Sequence, residues 1–132
     1  MGYLYLNLDT GRGEYACAGH HALLAREKPA KATREIAAYG TLFGLRLGTF
    51  ATNPVQFDLR PGQRILFYTD GLTDVRNESG EIFGIENLSN LFSAQDESPP
   101  SQAIDAILKG LQKWAGPTPF PDDVTAIMID IE

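Results

Sequence analysis

Two strongly apolar runs each meet a short acidic turn, and that combination limits what this chain can fold into. Arg64-Ile65-Leu66-Phe67-Tyr68 ends on Thr69-Asp70-Gly71, and Asp122-Asp123 opens onto Val124-Thr125-Ala126-Ile127-Met128-Ile129. Both runs read as strands apolar on both faces, over 64–69 and 124–131, so each needs cover above and below its sheet. A carboxylate on a short turn at the end of a buried strand suits a divalent cation. The strand fixes the backbone, and the short Asp side chain leaves little slack. Two Asp held within ~4 Å repel each other by about 4 kcal/mol at an effective dielectric of 20. A bound cation removes that penalty, and hard oxygen donors favour Mg, Mn or Ca over Zn.

The rest of the chain supplies the cover. Residues 3–8 alternate, with Leu4, Leu6 and Leu8 on one face, as a strand does. Asp9-Thr10-Gly11-Arg12-Gly13 reads as a hairpin turn, and residues 14–18 as the returning strand. Gly19-His20-His21 breaks that strand and Ala22-Leu23-Leu24-Ala25 resumes. A loop follows around Pro29, then a short strand over 34–38. Gly40, Gly44 and Gly48 punctuate an apolar loop through Leu42, Phe43, Leu45 and Leu47. Residues 50–59 read as a strand, edged or interrupted at Pro54. Arg60-Pro61-Gly62-Gln63 turns into the first apolar run, and residues 77–80 form a further loop.

Two helices come late. Ile85, Leu88, Leu91 and Phe92 follow helical spacing. So do Ala103, Ile104, Ile107, Leu108, Leu111 and Trp114, with Ser101 as the expected cap. Both stripes read as core-facing. Hairpin-connected strands with late amphipathic helices point to an α+β fold, helices packed outside a sandwich.

Bulk properties narrow the function classes. A chain of 132 residues with 43% apolar content fits one domain that buries roughly two-thirds of its unfolded surface. A net charge of -6 without a Lys/Arg cluster argues against nonspecific nucleic-acid binding. Cys17 is alone, which rules out an intrachain disulfide and a Cys-based zinc site. The apolar runs are far too short to span a bilayer. Met1-Gly2-Tyr3 leads straight into a strand pattern with no signal peptide, so the expected compartment is the cytoplasm. Residues 70–81 lack the ligand order of a calcium loop, and residues 40–48 lack a phosphate-cradling sequence.

Taken in chain order, the pieces form a series: Ala18-Gly19-His20, Gly40-Thr41-Leu42-Phe43-Gly44-Leu45, Leu59-Arg60-Pro61-Gly62, Phe67-Tyr68-Thr69-Asp70-Gly71-Leu72-Thr73-Asp74-Val75, Gly80-Glu81-Ile82-Phe83-Gly84 and Asp122-Asp123-Val124-Thr125. This series resembles the metal-dependent protein phosphatase (PPM, type 2C-like) family. Within it, the match is to the bacterial branch of stage II sporulation protein E and the stress-response sigma-factor regulators. The resemblance covers nearly the whole chain, and its specificity lies in the ordered set.

The resemblance implies a four-layer α-β-β-α sandwich with metals at one end between the sheets. It implies hydrolysis of phosphoserine and phosphothreonine in proteins with Mn2+ or Mg2+, two ions in the complete domain. Asp70 and Asp122 match metal-ligand positions, the catalytic pair of this chain. Asp123 matches the position beside the second ligand and, with Gly71 and Thr125, is expected to support the site. An Ala-Gly-His turn is implied to be structural, so neither His20 nor His21 is expected to be catalytic. Asp74 reads as a solvated loop charge. The implied substrate is a phosphorylated regulatory protein of the anti-sigma antagonist type, and the implied regulator is an upstream sensory or receiver domain.

One departure is large. Family members carry an N-terminal half ending in a G-D-x-x-G-H-G-like turn that gives the dinuclear site a further Asp and a carbonyl. Nothing in residues 1–132 matches it. The expectation is therefore the C-terminal part of a phosphatase domain, with N-terminal strands and helices absent and the chain alone inactive. Two other readings stand beside it. One is a non-catalytic pseudophosphatase or partner-binding module. The other is a fragment whose exposed strand edges and apolar faces favour a homodimer.

Overall fold

A computed structural model describes residues 1–27, 32–42, 44, 51–95 and 97–132. Nine strands and two helices are described: β1 (Gly2–Asn7), β2 (Arg12–Cys17), β3 (Leu23–Arg26), β4 (Thr33–Ile36), β5 (Tyr39–Gly40), β6 (Thr52–Asn53), β7 (Val55–Asp58), β8 (Arg64–Tyr68), α1 (Gly84–Ala94), α2 (Pro100–Ala115) and β9 (Ala126–Asp130). The strands form a three-stranded sheet in the order β1-β2-β7, a four-stranded sheet in the order β4-β3-β8-β9, and a two-stranded ribbon of β5 and β6. Every pairing is antiparallel.

Period-two alternation sorts the side chains of the four-stranded sheet between two cores. Leu23, Ala25, Ile36 and Ile65 face the three-stranded sheet, where they pack with Tyr15, Cys17 and Phe57. Leu24, Leu66 and Tyr68 face the other way, onto Leu88 and Phe92 of α1 and Ile107 and Leu111 of α2. Each of these large side chains contributes about 1.5–3 kcal/mol by leaving water. The layers thus run helices, four-stranded sheet, three-stranded sheet, which makes three of the four expected. On the outer face of the three-stranded sheet, Tyr3 and Tyr5 are exposed.

Several expectations need correction. Leu8 does not join Leu4 and Leu6 on the buried face. The strand ends at Asn7, whose side-chain oxygen accepts the Thr10 N–H and starts the turn, leaving Leu8 73% exposed. Ser101 does not cap α2. Pro100 takes the first helical position after Pro99, where its missing N–H leaves no bond unmade. The last strand is shorter than 124–131 and is not buried on both faces. β9 is an edge strand with only β8 beside it, and Ile127 is half exposed. Ile85 faces solvent, at the rim of its stripe. The expected strand over 34–38 is Thr33–Ile36. The expected strand over 50–59 is split at Pro54 into β6 and β7, as a residue without an N–H dictates. The loop around Pro29, the start of that strand at Phe50, and Phe43, Leu45, Leu47 and Gly48 of the apolar loop lie outside the described residues.

A charged row crosses the four-stranded sheet at the end where β8 begins. Register places Arg26 beside Arg64 and Arg64 beside Asp130. Arg64 is buried and meets the Asp130 carboxylate through Nε at 2.6 Å and Nη2 at 2.7 Å. Its remaining donors reach the carbonyls of Gln95 and Ser98 in the α1–α2 connector. Arg26 donates to the Ser93 carbonyl near the end of α1. Cationic donors on the last carbonyls of a helix satisfy orphan acceptors and oppose the helix dipole. Burial lowers the Arg26 pKa, the adjacent Arg64 charge lowers it further, and Asp130 opposes both. The carboxylate therefore serves two guanidiniums. Asp130→Ala is expected to cost about 2–4 kcal/mol in urea unfolding, since it strips the counter-charge from a buried cation. Asp130→Asn, which keeps an acceptor, should cost less.

Candidate functional site

At the opposite end of the same two strands lie the acidic turns. Asp70 opens a short 3-10 turn, Asp70–Leu72, directly after β8. Asp122 and Asp123 lie four and three residues before β9. The β8–β9 ladder pairs Tyr68 with Ala126, and one more rung brings Thr69 to Thr125. The Thr69 N–H donates to the Thr125 carbonyl at 3.0 Å. The Thr69 hydroxyl accepts the Thr125 N–H at 3.1 Å and donates to the Asp123 carbonyl at 3.2 Å. One threonine thus laces both turns.

Gly71 sets how closely the turns approach. A Cβ at this position would collide with the Asp123 carbonyl. The Asp122 carboxylate accepts the Asp123 N–H at 2.7 Å, which folds the second turn back on itself. Asp70, Gly71, Asp122, Asp123 and Thr125 are therefore brought to one end of the sheet. Thr125 contributes through its backbone, and Asp123 through its carbonyl. The Asp74 carboxylate accepts from the Thr73 hydroxyl and stays with its own loop.

Two residues have contacts at the acidic turns to which the sequence reading gave no part. The first is Thr69, whose side chain joins the turns. The second is His21. Its Nε2 lies 3.9 Å from Oδ2 of Asp70, with both side chains about half exposed at 46% and 53%. Its ring stacks on Tyr68, centroids 6.2 Å apart and planes 13° from parallel. The Tyr15 hydroxyl donates to the His21 carbonyl at 2.5 Å. His20 has the structural part expected of it. Its Nδ1 lies 3.1 Å from the Tyr15 hydroxyl, and its ring packs edge-on to Phe67. Burial lowers the His20 pKa, with the His21 carbonyl opposing the shift. The signal for His21 was the β3–β8 register. Extended two rungs beyond Leu23, it sets residue 21 opposite residue 69.

The site lies where β8 ends and β9 begins. Beside it is a cleft of about 60 Å³ between His20, Phe67, Thr69 and Thr125. A larger groove of about 440 Å³ lies between α1 and α2 and shares no residue with the acidic turns. Asp70 and Asp122 offer hard carboxylate oxygens of the right type for Mn2+ or Mg2+. Among the described residues, no group of three or more His, Cys, Asp or Glu side chains is placed to hold one ion. The donor chemistry fits, and the donor number is partial.

The Stage II sporulation protein E (SpoIIE) family matches residues 1–132. The chain belongs to the SpoIIE family. That family consists of PP2C-type phosphatase domains, and the folds of solved relatives agree. The SiaA-PP2C domain of Pseudomonas aeruginosa aligns with a TM-score of 0.80 at 22% identity, covering 99% of this chain and 51% of that one. The Mn-presoaked phosphatase domain of the cell fate determinant SpoIIE from Bacillus subtilis gives 0.78 at 11% identity, over 100% and 56%. At these identities the likeness carries the fold alone. Protein IcfG of Synechocystis sp. is 26% identical over 125 residues, 94% of this chain and 19% of that protein. The chain spans about half the length of the solved relatives and less of the curated one. The fold is an incomplete α+β PPM sandwich. Among the described residues, no helix is long and apolar enough to cross a membrane.

Two measurements probe this construction. Gly71→Ala should lose about 1–3 kcal/mol of stability in chemical denaturation, as overpacking does. Burial raises the phenol pKa values of Tyr15 and Tyr68, that of Tyr68 to about 12, with Glu35 adding to the shift. The fold favours the neutral phenols. The contribution of Tyr68 is therefore complete below the ordinary value of 10.0 and is lost as pH climbs through about 12. Urea midpoints followed across that window should fall, and Tyr68→Phe should flatten the fall.

Proposed function

We propose that this chain is the C-terminal part of a metal-dependent protein serine/threonine phosphatase domain. Its substrate would be a phosphorylated regulatory protein of the anti-sigma antagonist type, and an upstream sensory or receiver domain would govern it. The observation that carries the reading is the joining of the two acidic turns by Thr69 and Gly71, in a chain matched from end to end by the SpoIIE family. The Mn-presoaked SpoIIE domain and the RsbU and RsbW domains of a Mycobacterium tuberculosis protein, at a TM-score of 0.72, lend support from fold.

Asp70 and Asp122 are the residues that would hold Mn2+ or Mg2+. Asp123, Gly71 and Thr125 fix the turns that aim them. Bound there, two such ions supply a water nucleophile at neutral pH and offset charge on the phosphoryl oxygens. In the net reaction, water adds to phosphorus, the bond to the serine or threonine oxygen breaks, and that oxygen leaves with a proton. No covalent enzyme intermediate is involved. The remaining donors belong to the N-terminal half of the domain.

The test is Mn2+-dependent hydrolysis of an aryl phosphate by the complete domain containing residues 1–132. Asp70→Asn and Asp122→Asn should each reduce turnover about 100-fold or more without unfolding the protein. A folded complete domain without Mn2+-dependent turnover would overturn the proposal in favour of a partner-binding module. A turnover-competent 1–132 chain would show that the N-terminal half is dispensable.

A further inference from the structure

We propose that His21 is a positioning residue for the Asp70 carboxylate, holding it ready for a divalent cation. The inference rests on the phosphatase reading above and adds a residue to it. Three observations converge on the imidazole. Its Nε2 stands 3.9 Å from Oδ2 of Asp70, close enough for a small side-chain rotation to complete a hydrogen bond. Its ring runs nearly parallel to that of Tyr68, centroids 6.2 Å apart, and Tyr68 is a buried residue at the end of the strand that leads to Asp70. Its backbone is held by the Tyr15 hydroxyl, which also reaches the His20 ring. Ring plane and main chain are thus fixed from two sides, while the Nε2 edge faces the one exposed carboxylate of the first acidic turn.

The chemistry asks for such a group. Asp70 follows its strand on an open turn, with its carboxylate half exposed. A free carboxylate rotates, and its rotation must be stopped when a cation binds. An N–H donor on one oxygen leaves the other oxygen aimed at the ion. Outer groups of this kind orient carboxylate ligands, and their loss typically weakens metal binding about 10- to 100-fold. In this role the imidazole carries its proton on Nε2 and donates it. It touches neither the substrate nor the ion.

The experiment compares Mn2+ affinity with stability in the complete domain. Mn2+ alone is the probe, read from the paramagnetic resonance signal of the free ion and by calorimetry. His21→Phe keeps a ring over Tyr68 and removes the donor. His21→Gln keeps an N–H at similar reach. Asp70→Asn serves as the reference. The Phe variant should bind Mn2+ about tenfold more weakly, and the Gln variant should stay within about threefold of the parent, with melting temperatures unchanged. His21→Leu replaces the Phe variant if the latter does not fold. Weakened binding in Asp70→Asn with unchanged binding in His21→Phe overturns the assignment of His21 and leaves the phosphatase reading intact. Unchanged binding in Asp70→Asn overturns both.

Discussion

The pairing of β8 with β9 is the constraint on which the rest of the molecule depends. Five rungs join segments that are distant in sequence, and both α1 and α2 lie in the connection between them. Closing so long a loop costs conformational entropy before any contact rewards it. The reward comes at both ends of the ladder. At one end, Arg64 grips Asp130 and the carbonyls of the α1–α2 connector. At the other, Thr69 ties down the turn that carries Asp122 and Asp123. Between the ends, Leu66 anchors the helices on one face and Ile65 the second sheet on the other.

What the sequence made legible is what local pattern can encode. The run Ile65-Leu66-Phe67-Tyr68 announces a central strand because nothing polar interrupts it, and β8 is that strand. Pro54 announces an interruption because its nitrogen has no hydrogen to give. Of the expected α2 stripe, Ala103, Ile107 and Leu111 are buried, as helical period dictates. The two acidic turns stood out because each adjoins an apolar run and takes its place in an ordered series of motifs. Leu8 misled because alternation says nothing about where a strand stops. Ser101 misled because Pro100 already satisfied the helix start. Thr69 and His21 were hidden for a different reason. Their importance depends on which strands lie side by side, and periodicity carries no record of partners. With the β3–β8 and β8–β9 registers known, both positions follow by counting.

The molecule is also lopsided, and the imbalance is chemical as well as geometric. The four-stranded sheet has helices on one side and a second sheet on the other. Among the described residues, the three-stranded sheet has cover on its inner side, and Tyr3 and Tyr5 stand exposed on its outer side. The acidic pair shows the same incompleteness. Two turns that each carry a carboxylate of suitable type are joined, yet a hard cation takes six or more oxygens. A sandwich short of one layer and a donor set short of members are two views of one fact, since the chain spans about half of its solved relatives.

Because the acidic turns belong to strands so far apart along the chain, their meeting is tied to the order of synthesis. Asp70 leaves the ribosome well before Asp122, and in the interval β8 has no β9 beside it. The first turn then lacks the Thr125 backbone and the Asp123 carbonyl that hold it in the finished fold. Until the last strand docks, the turn that bears Asp70 is without the hydrogen bonds that join it to the turn bearing Asp122. The long connection therefore makes the meeting of the two turns wait for the end of the chain.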